Sequence, residues 1–215
     1  KNVPRERMLE VAGHDDHFAA IRPINEQNRA LIAALRDELT TPESVKKGLD
    51  LPIYWGNRNW HPMLVDTLQQ MRDDGVQRAL AFVTSAMSSY SGCRQYLEDI
   101  ERARVELGEG APEVDKLRAF YNHPGFIEAM QSRVREALDE IDGKNTLIVF
   151  TAHSIPLSMA DGCPYVEQLE ESSRLVMEAF PSHTHTLVYQ SRSGPPSQPW
   201  LEPDICDYLQ QVKDE

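Results

Sequence analysis

The segment LIVFTAHSIPLSMADGCPY, residues 147–165, joins a short apolar run to a single histidine, His153, and then to a turn rich in proline and glycine. The apolar run predicts a buried strand with the histidine at its carboxyl end. Ligands of open parallel sheets bind outside the carboxyl ends of the strands. His153 is therefore expected at the rim of a cleft, where neutral imidazole can accept a proton or hold a metal ion. From position alone, a histidine that caps the strand through a backbone carbonyl is an equal alternative.

Three further loops are expected at the same rim, because each follows a predicted strand. They are residues 56–60, 84–92 and 191–200. Their side chains are rich in Ser, Asn, Trp, Tyr and Arg, which suits a large, flat, partly apolar ligand with acidic groups better than a phosphate. No GxGxxG, GxxxxGK[ST] or GxSxG pattern follows these strands, so a dinucleotide site, a P-loop and a serine nucleophile are not supported.

The composition narrows the classes of ligand further. The 215 residues have a formal net charge of −12 and are 40% hydrophobic, which is typical of an acidic globular protein. A general nucleic-acid binder or anionic-membrane binder is not expected, because both need an excess of Lys and Arg on one face. Any anionic ligand must then be met by local arginines.

The sequence shows no strong sign of a membrane-spanning segment, a signal peptide or a disulfide framework. No apolar run approaches the roughly 20 residues of a membrane-spanning helix, and KNVPRERMLE lacks the apolar centre of a signal peptide. Peripheral membrane contact is left open, without an amphipathic segment to support it. Three cysteines without CxxC spacing do not form a secreted disulfide framework, so a cytoplasmic location is expected.

Helical and strand-like segments alternate along the chain. Helices are predicted after Pro23, from the segment HPMLVDTLQQMRDDG, from about Arg94 to Leu107, from His123 to Gly143, from YVEQLEESSRLVMEAF and from about Pro203; strands are predicted at LPIYWGN, RALAFVT, EVDKLRAF, TLIVF and HTLVYQ. RALAFVT is expected to be covered on both faces because it is continuously apolar. This order predicts an α/β doubly wound architecture with parallel strands.

Several motifs together resemble one family. They are YWGNRNWHP, TSAMSSYSGCRQYLEDIERA, FTAHSIP, GCPYVEQLEES and YQSRSGPPSQPWLEPD. In this order they resemble the ferrochelatases, most closely the bacterial enzymes that make haem or coprohaem. The resemblance implies two similar chelatase-type (Rossmann-like) α/β domains with parallel sheets flanked by helices, residues 1–142 and 143–215. The first strand, the last elements and a C-terminal glutamate of the family are expected to be missing from this sequence.

The resemblance also implies a reaction. Ferrous iron, as a substrate, would be inserted into coproporphyrin III or protoporphyrin IX in haem biosynthesis, with loss of two pyrrole protons. His153 matches the family histidine that acts as base, as iron ligand, or as both. The sequence does not indicate which porphyrin is used or the oligomeric state.

The resemblance assigns further residues to the porphyrin cleft. Arg58 matches a basic residue that can pair with a propionate, and Tyr96 a tyrosine that contacts the porphyrin; an exposed surface arginine and a helix-buried tyrosine are the alternatives. The candidates for the cleft wall are Ser88, Tyr90, Ser91 and Ser191. Trp200 is equally compatible with stacking on the macrocycle and with packing in its own loop. Arg22 stands where the family has a serine that meets a propionate, and Ala19 and Ala20 replace glycines.

Cys93 and the departures from the family keep alternatives open. Some ferrochelatases hold a two-iron two-sulfur cluster with one cysteine at the position of Cys93. Cys163 and Cys206 lie elsewhere, so this chain alone cannot supply four thiolates, and a buried, inert thiol is the preferred interpretation of Cys93.

Two alternative functions stay open beside the ferrochelatase hypothesis. A non-catalytic porphyrin or haem-binding protein is the second hypothesis, and a chelatase for a cobalt or nickel tetrapyrrole ranks last.

Overall fold

The computed structural model describes residues 23–141, 146–195 and 197–214, which form two compact units. One unit ends at Trp55 and the other begins at Gly56. The first unit contains helices α1, Pro23–Leu39, and α2, Pro42–Lys46. The predicted helix after Pro23 is thus confirmed, with proline in the first turn, where its missing N–H costs nothing.

The second unit contains the remaining elements in alternating order. They are α3 Leu64–Asp73, β1 Arg78–Ala81, a π-helix Tyr90–Arg94, α4 Gln95–Leu107, β2 Glu113–Lys116, α5 Pro124–Glu140, β3 Leu147–His153, α6 Leu157–Ala160, α7 Tyr165–Met177, β4 Thr184–Gln190 and α8 Ile205–Asp214. Local sequence explains the helix ends. Gly75, with φ of 79°, follows the end of α3, and His123 caps α5 by accepting a hydrogen bond from the Gly125 amide at 3.2 Å. The predicted end of α5 at Gly143 lies outside the described residues.

The strands form two parallel pairs, as predicted. β1 pairs with β2, with Arg78 opposite Glu113, and α4 connects the two strands. β3 pairs with β4 along its whole length, from Leu147 opposite Thr184 to His153 opposite Gln190. Helix α7 connects this second pair. The second unit is therefore mixed α/β with short parallel sheets and helical crossovers, which confirms the predicted fold class.

The core of the second unit lies between helices α5 and α7 and strand β3. Its buried residues are Ile127, Val176, Met177 and Phe180, against which Ile148 and Phe150 of β3 pack. A second cluster contains Ala152, Leu169 and Tyr189, with Met87 from the loop after β1 packed against it. Met87 therefore ties the loop after β1 to the ends of β3 and β4.

One strand prediction was wrong, and β1 and β2 are shorter than predicted. Residues 51–56 form no strand, and Asn57 makes only an isolated bridge to Met63. The described residues offer this segment no neighbouring strand, and Pro52 has no amide hydrogen for a ladder. β1 is shorter than predicted and covered on one face only, since Leu80 is 62% exposed. A continuous apolar run allows a strand to be buried on both faces, but each face becomes buried only where another element packs against it.

Candidate functional site

β3 delivers His153 to the carboxyl edge of its sheet. The imidazole is exposed, and within the described parts of the chain it has no hydrogen-bond partner. Its backbone is held instead, because the Tyr165 hydroxyl donates to the His153 carbonyl oxygen at 3.1 Å. The predicted alternative, in which the ring caps the strand through a backbone carbonyl, is not what the structure shows.

Ser154, the next residue, is almost fully buried at 2% exposure. Its amide donates to the Gln190 carbonyl at 2.7 Å, and its hydroxyl donates to the Leu201 carbonyl at 2.9 Å. Both polar groups are satisfied, as burial requires. The backbone directly after His153 is therefore held in place by β4 and by the loop that follows it.

Trp200 belongs to the loop after β4 and packs within it. Its backbone forms an antiparallel bridge with Pro156, flanked by a hydrogen bond from the Leu157 amide to the Pro199 carbonyl at 3.1 Å. A Cβ on Gly194 would lie 2.4 Å from the indole nitrogen, so only glycine fits there. The contacts that surround Trp200 favour the packing interpretation, and stacking on a macrocycle stays a prediction.

Ser191 begins the same loop and is exposed. Its φ of 63° is the single positive value among the described non-glycine residues. Such a conformation is strained for a residue with a Cβ, and strained residues cluster at binding sites. Ser191 therefore stands at the expected rim with its side chain accessible.

Arg58 is engaged by three neighbours from α4 and the π-helix. Its Nε donates to Asp99 at 2.5 Å, its guanidinium lies 4.5 Å from the centre of the Tyr96 ring, and Nη1 donates to the Ser91 carbonyl at 3.5 Å. The Arg58 and Asp99 side chains are only 16% and 13% exposed. Arg102 also pairs with Asp99, at 2.6 Å. The structure thus brings together Arg58, Tyr96 and Ser91, and the exposed-arginine alternative is wrong.

The π-helix also carries Tyr90 and Cys93. The Tyr90 hydroxyl donates to Glu98 at 3.0 Å, and this bond to a carboxylate raises the pKa of Tyr90. Cys93 is half-buried beside an open groove of about 640 Å³, whose walls also include Ser88, Leu97 and Gln168. This groove runs along β2 and faces the start of α4.

Contacts connect the four predicted rim loops in series. Arg58 of the first loop reaches Ser91 of the second, Met87 of the second packs against the buried cluster that contains Ala152, and residues 155–157 pair with residues 199–201. Neighbouring loops of the predicted rim are therefore in contact. Within the described ranges, His153 and Arg58 share no hydrogen bond or ion pair. Arg22 lies outside the described residues.

Comparison with known proteins adds the deciding observation. The family model described as Ferrochelatase matches residues 1–215. The chain belongs to the ferrochelatase family.

Three relatives illustrate the extent of the similarity. The chain is 58% identical over 216 residues to a protein named ferrochelatase from Rhodopirellula baltica, covering 100% of this chain and 60% of that protein. It is 48% identical to a coproporphyrin III ferrochelatase of Nocardia farcinica, covering 99% and 62%, and 46% identical to one of Mycobacteroides abscessus, covering 100% and 62%. The chain therefore spans about 60% of the length of these ferrochelatases.

The described residues contain no site for a permanently bound metal ion. No group of three or more His, Cys, Asp or Glu side chains in residues 23–141, 146–195 and 197–214 is arranged to hold a metal ion. The three cysteines are free thiols, and Cys163 donates to the Met159 carbonyl at 3.2 Å. They do not fit the four thiolates of a two-iron two-sulfur cluster. None of the described helices is long and apolar enough to cross a membrane.

Sequence reasoning missed the partners that orient these ferrochelatase-family residues. Asp99, Tyr165 and Ser154 were not identified as such partners, and of the three only Asp99 left a trace in the sequence. Asp99 follows Tyr96 by three positions, which places both on one face of α4. Ser154 adjoins His153, but a serine gives no indication of burial by itself. Tyr165 reaches back across 12 residues, a contact that no local pattern predicts.

Proposed function

We propose that the protein inserts ferrous iron into a porphyrin, coproporphyrin III or protoporphyrin IX, as a step of haem biosynthesis. The observation that carries this proposal is an exposed imidazole, His153, at the carboxyl end of β3, in a chain that belongs to the ferrochelatase family. Relatives named coproporphyrin III ferrochelatase support that porphyrin as the first substrate to test.

The reaction exchanges one cation for two protons. Ferrous iron forms bonds to the four ring nitrogens, and two pyrrole N–H protons leave. Neutral imidazole at the cleft can accept such a proton or pass the incoming iron to the ring. Because the His153 ring has no hydrogen-bond partner among the described residues, its nitrogens are available for either role.

The porphyrin propionates require cations or hydroxyls. Arg58 has one nitrogen on Asp99 and another directed at the Ser91 carbonyl, so a propionate would have to approach its remaining N–H groups. Tyr96 supports the guanidinium from its ring face. We assign Tyr90, Ser91, Ser191 and Trp200 to the cleft wall, and Arg22 to a second propionate.

The wider proposal concerns the whole protein. Two similar domains would meet near residue 142, with the cleft between them. Cytoplasmic location, with peripheral membrane contact left open, follows from the cysteine usage and from the charge of −12. Cys93 would take part in an iron-sulfur cluster only with thiolates from outside this sequence.

The test is a titration of the purified protein with coproporphyrin III and protoporphyrin IX, followed by anaerobic addition of Fe²⁺. We expect saturable quenching of porphyrin fluorescence and then conversion of the Soret band to that of the metallated ring. His153→Ala should bind porphyrin and lose metallation by about 100-fold or more, since a general base typically contributes about 100-fold to 10,000-fold. His185→Ala is the matched control, since His185 lies on the same sheet at the amino end of β4.

The outcomes separate the hypotheses. Metallation that survives His153→Ala contradicts the role assigned to His153. Porphyrin binding without metallation by the wild-type protein contradicts the chelatase proposal and supports the non-catalytic porphyrin-binding alternative. Absence of porphyrin binding contradicts both.

A further inference from the structure

Two hydroxyl groups hold the backbone around His153. The Tyr165 hydroxyl donates to the His153 carbonyl at 3.1 Å, and the Ser154 hydroxyl donates to the Leu201 carbonyl at 2.9 Å. We call Tyr165 and Ser154 the His153 clamp. One bond holds the carbonyl oxygen of the peptide that joins His153 to Ser154, and the other holds the side chain of Ser154.

The clamp connects three elements at the sheet edge. Tyr165 is the first residue of α7, whereas Leu201 lies in the loop after β4. The Ser154 amide adds a bond to the Gln190 carbonyl at the end of β4, at 2.7 Å. The peptide after His153 is thereby tied to α7, to β4 and to the loop after β4.

The imidazole itself lacks any such support. It is exposed, and no described residue donates to it or accepts from it. Its direction therefore depends on its two side-chain torsions and on the backbone from which it projects. A fixed backbone restricts the rotamers that the ring can adopt.

We propose that Tyr165 and Ser154 are positioning residues that direct the His153 imidazole into the cleft. The inference rests on the proposed function, in which His153 meets the porphyrin or the iron. A base or ligand must lie within hydrogen-bond reach of the reacting atom, and small displacements are costly in rate. Both clamp hydroxyls are engaged by backbone carbonyls, so we expect porphyrin affinity not to depend on them.

The decisive variant is Tyr165→Phe, which removes one hydroxyl and keeps the ring. Its matched control is Tyr189→Phe, because Tyr189 is a buried tyrosine of the cluster against which the half-buried Tyr165 packs. Ser154→Ala is the second variant, with Ser173→Ala as its control; the buried Ser173 hydroxyl donates to the Leu169 carbonyl at 2.9 Å. Even if Ser154→Ala fails to fold, Tyr165→Phe decides the question.

Two measurements are combined. Steady-state metallation of coproporphyrin III gives kcat and KM, and we expect Tyr165→Phe to lower kcat about fivefold to tenfold, with KM changed less than about twofold, as for loss of one hydrogen bond. Proton NMR of the protein without porphyrin or iron gives the His153 ring resonance, assigned by its loss in His153→Ala. We expect that resonance to shift or broaden in Tyr165→Phe and to stay unchanged in Tyr189→Phe.

The failures are distinguishable. A wild-type protein that does not metallate porphyrin contradicts the proposed function. An active wild type whose kcat or His153 resonance is unaffected by Tyr165→Phe overturns the clamp alone. Equal effects of Tyr165→Phe and Tyr189→Phe also overturn it, because they would report a general loss of packing.

Discussion

Arg58 is held in place by neighbouring side chains. Asp99 neutralises its charge, the Tyr96 ring supports its flat face, and Arg102 shares the same carboxylate. Such an arrangement removes the entropy that a free arginine would lose on meeting a propionate. It also makes Asp99 an acceptor for two cations at once.

Replacing Asp99 tests this arrangement. Asp99→Asn keeps the shape and removes the charge, leaving Arg58 partly buried without a counter-ion, so we expect the free energy of unfolding to fall by about 1–2 kcal/mol. Urea denaturation measures the change. Glu101→Gln on the same helix is the control, since Glu101 is 62% exposed in its pair with Arg104 and should change stability by less than about 0.5 kcal/mol. Equal effects of the two substitutions would refute the role of Asp99.

At the scale of elements, the loop after β1 is secured by helix α7. The Ser88 amide donates to the Gln168 side-chain oxygen at 2.6 Å, and Met87 packs against the buried cluster that contains Leu169 of the same helix. Ser172 extends this junction by donating to the Tyr121 carbonyl at 2.8 Å. One face of α7 therefore holds the segments that follow β1 and β2 through hydrogen bonds and apolar packing.

Gln168→Ala should release the loop after β1. The substitution removes the acceptor of the Ser88 amide, so we expect hydrogen exchange at that amide to become about tenfold faster or more, while the helices keep their protection. Hydrogen exchange followed by mass spectrometry or NMR measures this. Gln131→Ala, which removes a bond from α5 to the Leu175 carbonyl at 3.0 Å, is the control and should leave residues 84–93 unchanged. Unchanged exchange at Ser88 in Gln168→Ala would contradict the prediction.

At the scale of the whole molecule, buried tyrosines make folding sensitive to alkali. Burial is the main reason that the pKa values of Tyr165 and Tyr189 are raised above the usual value of 10.0. Above that pH the unfolded chain loses these protons while the folded protein keeps them. The stability contributed by the neutral hydroxyls is complete below pH 10 and is lost as pH rises through the folded-state values.

Tyr189→Phe should reduce this dependence, because phenylalanine has no proton to lose. We expect the thermal midpoint of the wild-type protein to fall more steeply between pH 10 and 11 than that of the variant. Thermal unfolding followed by circular dichroism measures both slopes. Tyr90→Phe is the comparison at an exposed site. The pKa of Tyr90 is raised mainly by its hydrogen bond to Glu98 and not mainly by burial. Parallel slopes for the wild type and Tyr189→Phe would contradict the prediction.

The sequence by itself determined the alternation of the longer helices with parallel strands and the position of His153 at the end of β3. These features depend on local quantities: apolar periodicity, prolines in first helical turns, and glycines after helix ends. The family motifs added the ferrochelatase assignment. They also pointed to Arg58, Tyr96 and Ser91, which the structure brings together.

Only the tertiary structure decided which residues hold these groups. Asp99 meets Arg58 across 41 positions, Tyr165 meets the His153 carbonyl, and Gln168 meets Ser88 across 80. The missing strand at residues 51–56 has the same origin, because a strand exists only where a partner lies beside it. Such partners are remote in sequence, and local pattern carries no information about which remote groups will meet.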